Sequence, residues 1–252
     1  MADTALTVAH PAADAPRVRD TWPVHKRQTV QLVASYVLLT AVFTGMGLLI
    51  TGPLADGALV RADEDAAQWF ADHRTPLLND LTWWGSMIAD TYVKIVVTAL
   101  AAGFMLWKWR RWREPLLVIA ALVIEASAFI TITTFVGRPR PDVPRLESSP
   151  VDSSFPSGHT AAAVAYAAIA IVVFWHTRRV WVRVLTVVIT VALPVIVGLS
   201  RAYRGMHHVS DVIAGVLLGA AAVVLVWLIL RRRTDQGSDA VAPTEGRVLE
   251  QQ

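Results

Sequence analysis

The chain contains no cysteine, which excludes disulfides, a thiol nucleophile and thiolate metal ligands. Charge is scarce as well: Asp, Glu, Lys and Arg make up 17% of the 252 residues, against about a quarter in ordinary soluble domains. No internal repeat is evident, and no signal-peptide pattern with a cleavage site precedes the first apolar run. What remains is apolar, with 54% hydrophobic residues and a mean hydropathy of +0.47. This composition excludes an ordinary soluble domain and points to a membrane protein.

Roughly 20 apolar residues are needed to cross about 30 Å of hydrocarbon as a helix. Six runs qualify, approximately 30–50, 86–107, 115–136, 157–175, 181–199 and 209–230. The expected fold is therefore all-α, a polytopic bundle of six transmembrane helices occupying residues 25–233. Basic residues cluster ahead of the first run (Arg17, Arg19, Lys26, Arg27), between the second and third (Lys108, Arg110, Arg111, Arg113), between the fourth and fifth (Arg178, Arg179, Arg183) and after the sixth (Arg231, Arg232, Arg233). Short basic loops stay cytoplasmic, so both termini are predicted inside a plasma membrane. The +3 formal charge is then explained by topology, and no nucleic-acid partner is expected. Trp107, Trp109, Trp112, Trp175, Trp181 and Trp227 fall near the inner ends of the runs, and Trp83 and Trp84 near an outer end. Between the first two runs Ala66, Trp69, Phe70 and His73 recur at helical spacing behind Asp63, Glu64 and Asp65. They predict a short interfacial helix, either lying on the outer surface or packed over the bundle. The polar ends, 1–24 and 234–252, read as disordered cytoplasmic tails.

The predicted outer side has fewer basic residues, and most of them, Arg138, Arg140, Arg145, Arg201 and Arg204, lie in or beside three short motifs. These are Gly137-Arg138-Pro139-Arg140-Pro141, then Pro156-Ser157-Gly158-His159, then Ser200-Arg201 followed by His207 and Asp211. Threading the runs through a membrane brings all three to one side. Arginine forks match phosphate oxygens, and a Ser-Gly turn opening a helix offers backbone N–H groups to an anion. If one helix holds both His207 and Asp211, they share a face, so the carboxylate could orient the imidazole and leave its other nitrogen free to attack phosphorus. His207 is thus the candidate nucleophile. His159 is the candidate general acid and then base, with Arg140, Arg201, Arg138, Ser157 and Gly158 as phosphate ligands. This chemistry calls for no metal or other cofactor.

These motifs resemble the signature of the type 2 phosphatidic acid phosphatase superfamily: Lys-x6-Arg-Pro, then Pro-Ser-Gly-His, then Ser-Arg-x5-His-x3-Asp. The second and third parts are matched without a mismatch by residues 156–159 and by Ser200, Arg201, His207 and Asp211. The resemblance implies a helical membrane bundle, an outward-facing site, a phosphohistidine formed at His207, and His159 as acid. The first part departs from the pattern. With Arg140-Pro141 as the Arg-Pro pair, Thr133 stands in the lysine's place; with Arg138-Pro139, Thr131 does. A replacement cation could be Arg138, or Lys94 near the outer end of the second run, although Asp90 four residues earlier would also explain Lys94 as a helix pair. Glu125, midway along the third run, is either hydrogen-bonded to neighbouring helices or shares in substrate or proton handling. His208 breaks the signature spacing and is read as lining the pocket or the surface.

The expected activity is hydrolysis of a lipid phosphomonoester or diphosphate at the outer membrane face. Resemblance to bacterial members favours undecaprenyl diphosphate, with phosphatidic acid, phosphatidylglycerophosphate or phosphotransfer as alternatives. A non-catalytic phospholipid-binding protein is the reading from another class. The partners expected are the lipid phosphate and surrounding lipid, with no obligatory protein.

Overall fold

The computed structural model describes residues 24–149 and 151–231. Apart from Val24, the two expected tails lie outside the described residues. Among these residues the regular secondary structure is all helical: α1 (Lys26–Thr51), α2 (Ala58–Asp72), α3 (Pro76–Met87), α4 (Thr91–Trp109), α5 (Arg113–Val136), α6 (Gly158–Ala165), α7 (Ala167–His176), α8 (Val180–Tyr203) and α9 (Val209–Arg231). Six helical segments are long and apolar enough to span a membrane, namely α1, α4, α5, α6 with α7, α8 and α9. The protein is a polytopic all-α membrane protein.

Helix α5 is the centre of the bundle. Leu117, Val118, Ala121, Ala128 and Ile132 on it are fully buried, and it packs against α1, α4, α6 and α9. Large apolar side chains on α1, α4 and α8, among them Val30, Leu38, Leu100 and Val188, point outward. That is the inverse of a soluble bundle and is what a lipid-facing surface requires, because acyl chains solvate these groups as well as a core would. Helices α6 and α9 approach each other closely. A Cβ on Gly219 would collide with the Ala161 carbonyl oxygen, and one on Gly215 with that of Ser157. The facing residues Ala161, Ala162 and Ala165 are small and fully buried. At the end of the bundle away from the motifs, Arg113 stacks 4.3 Å over Trp175 and Arg231 4.6 Å over Trp227.

Three expectations change. The second span begins at Thr91 rather than near residue 86, with Asp90 as its N-cap. The preceding segment is a helix of its own, α3, started by the Thr75 side chain, which accepts from the Leu78 N–H at 3.3 Å, and by Pro76 in its first turn. Two helices rather than one therefore join the first two spans, and Trp83 and Trp84 belong to α3. The inward face of α2 also differs, for Asp63 and Ala67 are buried while Trp69 is exposed. A buried carboxylate was not legible as such because its partners lie far away in sequence.

Candidate functional site

The site is assembled where α5 ends and α6 and α9 begin. Gly137 stops α5 in the left-handed region at φ +58°, a conformation open to glycine at little cost, and turns the chain into Arg138. The return loop is fastened to this turn by Ser154, whose N–H donates to the Arg138 carbonyl and whose hydroxyl donates to the Pro139 carbonyl, both at 2.8 Å. The start of α6 is fastened to the start of α9 by the Ser157 N–H, which donates to the Asp211 carbonyl at 3.0 Å. A Cβ on Gly158 would sit 2.8 Å from the Phe129 ring of α5, so the second motif needs glycine there to approach α5. The three sequence motifs thus meet at one end of the bundle.

His207 lies between α8 and α9, 4% exposed, and its Nδ1 is 2.7 Å from the Ser154 carbonyl oxygen. A carbonyl can only accept, so Nδ1 carries the proton and Nε2 keeps its lone pair. Burial, then the positive charges of Arg201 and Arg140, hold the His207 pKa well below 6.5, against the smaller effect of the Ser154 bond. The imidazole is neutral at pH 7. His159, in the first turn of α6, is partly exposed and lies within the fields of Arg201, Lys94 and Arg140. The Ser157 hydroxyl pairs with Thr160 Oγ1 at 2.9 Å, leaving the first-turn N–H groups of α6 without helical acceptors.

Two arginines face this centre. Arg140 donates through its Nη atoms to the carbonyls of Met206 and Val151 and to Ser149 Oγ, and Arg201 donates to Ser86 Oγ at 2.8 Å and to Glu147. In both, the Nε–H is buried without an acceptor. Two orphaned donors beside a neutral histidine fit an anion with several oxygens.

Arg138 does not join them. Its guanidinium is 4% exposed and held by Asp211 Oδ1 at 2.5 Å, Ser210 Oγ at 2.7 Å and Asp63 Oδ2 at 2.8 Å, so it is committed to carboxylates rather than open to phosphate. Asp211 likewise does not orient His207. Its Oδ2 accepts from the backbone N–H of His208 at 2.9 Å and lies 3.1 Å from His208 Nδ1. His208 is buried, with its Nε2 2.9 Å from Glu64 Oε1. Burial alone would lower the His208 pKa, but the Asp211 hydrogen bond and charge, with help from Glu64 and against Arg138, raise it above 6.5. The sequence reading missed this chain of Asp63, Arg138, Asp211, His208 and Glu64, which ties α2 to the motif residues. A signal was available, namely two adjacent acids opening an amphipathic pattern on the same side as the motifs. Tyr203 and Arg204 are ties as well, since the Tyr203 hydroxyl accepts from the Thr75 N–H at 2.9 Å and Arg204 donates to the Asn79 carbonyl at 3.1 Å.

Thr133, Lys94 and Glu125 lie beneath this centre. The Thr133 hydroxyl donates to the Ile130 carbonyl at 2.8 Å, so it does not replace a lysine. Among the described residues no three His, Asp or Glu side chains are grouped to hold a metal ion.

Residues 115–235 match the profile of the PAP2 superfamily. Among known proteins the chain is similar to phosphatidylglycerophosphatase B of Bacillus subtilis, with 29% identity over 71% of this chain and 88% of the relative. It is also similar to the Escherichia coli protein YbjG, named for undecaprenyl-diphosphatase activity, with 27% identity over 68% of this chain and 80% of the relative. The crystal structure of a transmembrane PAP2-type phosphatidylglycerolphosphate phosphatase from Bacillus subtilis shares the fold, with a TM-score of 0.63 over 87% of this chain and 99% of that one at 22% identity.

Proposed function

We propose that the protein hydrolyses a lipid phosphate through a phosphohistidine at His207, with a polyprenyl diphosphate such as undecaprenyl diphosphate as substrate. One observation carries this reading: a buried neutral imidazole with Nδ1 held by a backbone carbonyl and Nε2 open beside Arg140 and Arg201. The Nε2 lone pair attacks phosphorus, the bond from phosphorus to the leaving oxygen breaks, and His159 delivers a proton to that oxygen. His159 then takes a proton from water, whose oxygen attacks phosphorus, breaks the P–N bond and releases inorganic phosphate. Arg140, Arg201 and the first-turn N–H groups of α6, beginning with Gly158, offset charge on the transferring group. No step requires a metal. The clusters containing Lys108 to Arg113 and Arg178 to Arg183 lie at the opposite end of the spans from the site, which by the positive-inside rule supports a site on the outer face and termini in the cytoplasm.

A second substrate, phosphatidylglycerophosphate, is favoured by the likeness to phosphatidylglycerophosphatase B over most of that protein's length. The test is phosphate release by purified protein in detergent with EDTA, comparing the two lipids, and wild type with His207→Ala. Release should persist in EDTA and fall by roughly 10³-fold or more in the variant, with the faster lipid fixing the substrate. Release that survives in His207→Ala refutes the phosphohistidine.

A further inference from the structure

A carboxylate and an ammonium inside the membrane-spanning part of the bundle are left unexplained by the mechanism. Glu125 is fully buried on α5, and neither of its carboxylate oxygens has a hydrogen-bond partner. A charge buried in a span with no partner is costly, and such residues mark function with a nearby counter-charge. The cation whose field reaches Glu125 is Lys94 on α4. Lys94 is half-buried, and among the described residues it makes no ion pair. The plain alternative, a helix pair with Asp90, is not made, because Asp90 Oδ1 accepts from the Tyr92 N–H at 2.9 Å as the cap of α4.

The same lysine also acts on His159, and the packing explains how. Ala89, just before α4, is buried against Ala163 of α6 and Val197 of α8, which sets the first turns of α4 beside the first turns of α6. On α5, Glu125, Phe129 and Thr133 recur every four residues and so share one face, and Phe129 on that face touches Gly158. Glu125 lies roughly 12 Å along the axis below Thr133, eight residues at about 1.5 Å each. A lysine stem entering from α4 can span part of that distance along apolar surface and carry its ammonium toward the polar end. The other candidate cation, Arg138, is taken up by Asp63 and Asp211, and the neutral Thr133 hydroxyl is bonded to its own helix.

Resting on the phosphatase reading, we propose that Lys94 supplies the third positive charge of the phosphate site from a different helix than a lysine at position 133 would. Glu125 is the counter-charge that keeps Lys94 ionised and placed. Phosphate ligation then draws on Arg140, Arg201 and Lys94, and the polar elements of α5 serve the lysine rather than the substrate.

The test is binding of orthovanadate and inorganic phosphate by purified protein, with phosphate release from the preferred lipid measured in parallel. Lys94→Met should weaken orthovanadate binding roughly 10- to 100-fold, the scale of one charge-assisted contact, and lower kcat/KM to match. Since Lys94→Met alone removes the positive field at the buried Glu125, Lys94→Met/Glu125→Gln is measured too and should fold and show the same loss. Adding Thr133→Lys to Lys94→Met should recover most of the binding, which a purely structural lysine would not permit. Orthovanadate affinity within twofold of wild type in both Lys94 variants, or a loss that Thr133→Lys leaves untouched, overturns the assignment while leaving the phosphatase reading intact. Wild-type protein that neither binds orthovanadate nor releases phosphate overturns both.

Discussion

Asp63 is a surface-helix residue by sequence position and a buried ion-pair partner in the structure, so its replacement gives a large effect where none would be anticipated. Its carboxylate is 4% exposed; it receives Arg138 at 2.8 Å through Oδ2 and the Ser210 N–H at 3.0 Å through Oδ1. Removing one member of a buried pair leaves the other uncompensated, at a cost of about 3 to 5 kcal/mol. Arg138 keeps its second carboxylate, Asp211, at 2.5 Å, which places Asp63→Asn near the lower end, about 3 kcal/mol. For a chain of this size each kcal/mol moves Tm by roughly 2 to 4 °C, so thermal unfolding in detergent should occur about 6 to 12 °C lower. Arg138→Gln should cost at least as much, since it strands both Asp63 and Asp211. The double variant should be less damaging than the sum of the two, because the second substitution removes the charge that the first left unpaired. A Tm within 2 °C of wild type for Asp63→Asn, or strict additivity in the cycle, would refute the claim that this pair fastens α2 to the site.

The α6–α9 contact predicts that Gly219→Ala destabilises by about 1 to 3 kcal/mol, because the Ala161 carbonyl and the Val164 Cβ both crowd the added methyl and the helices must part. Gly45→Ala on α1, where a Cβ meets nothing within 4 Å, should leave Tm unchanged or raise it, and equal losses in the two variants would contradict the close approach. His208 predicts a pH dependence. Its folded pKa is raised above the unfolded value of about 6.5, so its contribution is fully present below pH 6.5 and is lost as pH rises through the folded value. The Tm difference between wild type and His208→Gln should therefore shrink with rising pH above about 6.5, and a difference that grows would show the imidazole to be held neutral.

The spans and the site were legible for separate reasons. Apolar length sets the spans, and each transmembrane helix satisfies its own backbone, so five of the six were located close to their observed positions without tertiary knowledge. The second was displaced because α3 carries Leu77, Leu78, Leu81, Trp83 and Trp84, and a hydropathy window merges it with α4; the Thr75-Pro76 start of α3 was the overlooked signal. His159, Arg140, Arg201 and His207 converge as expected because motif residues at the same ends of antiparallel spans have nowhere else to meet. Arg138 and His208 were not read correctly because each has a partner on α2. Asp63 and Glu64 sit 75 and 144 positions from Arg138 and His208, and no local pattern reports a pairing at that range.

Asp211 shows how a correct spacing leads to a wrong partner. Four residues separate it from His207, and on a helix that spacing puts two side chains on one face. The helix begins only at Val209, however, so His207 lies outside it and the rule does not apply. Counted from the helix start, His208 is the N-cap and Asp211 the third helical residue, the position from which an acidic side chain reaches back to the cap N–H. That bond is present at 2.9 Å, and the carboxylate's other oxygen is held by Arg138. His207 is instead oriented by the Ser154 carbonyl, a group every residue possesses and no sequence pattern can single out. The side-chain chemistry of the site is therefore written in the sequence, whereas the tautomer of His207 is fixed by backbone. Substitution at Ser154 should accordingly affect His207 only through displacement of the loop that Ser154 Oγ fastens to Pro139.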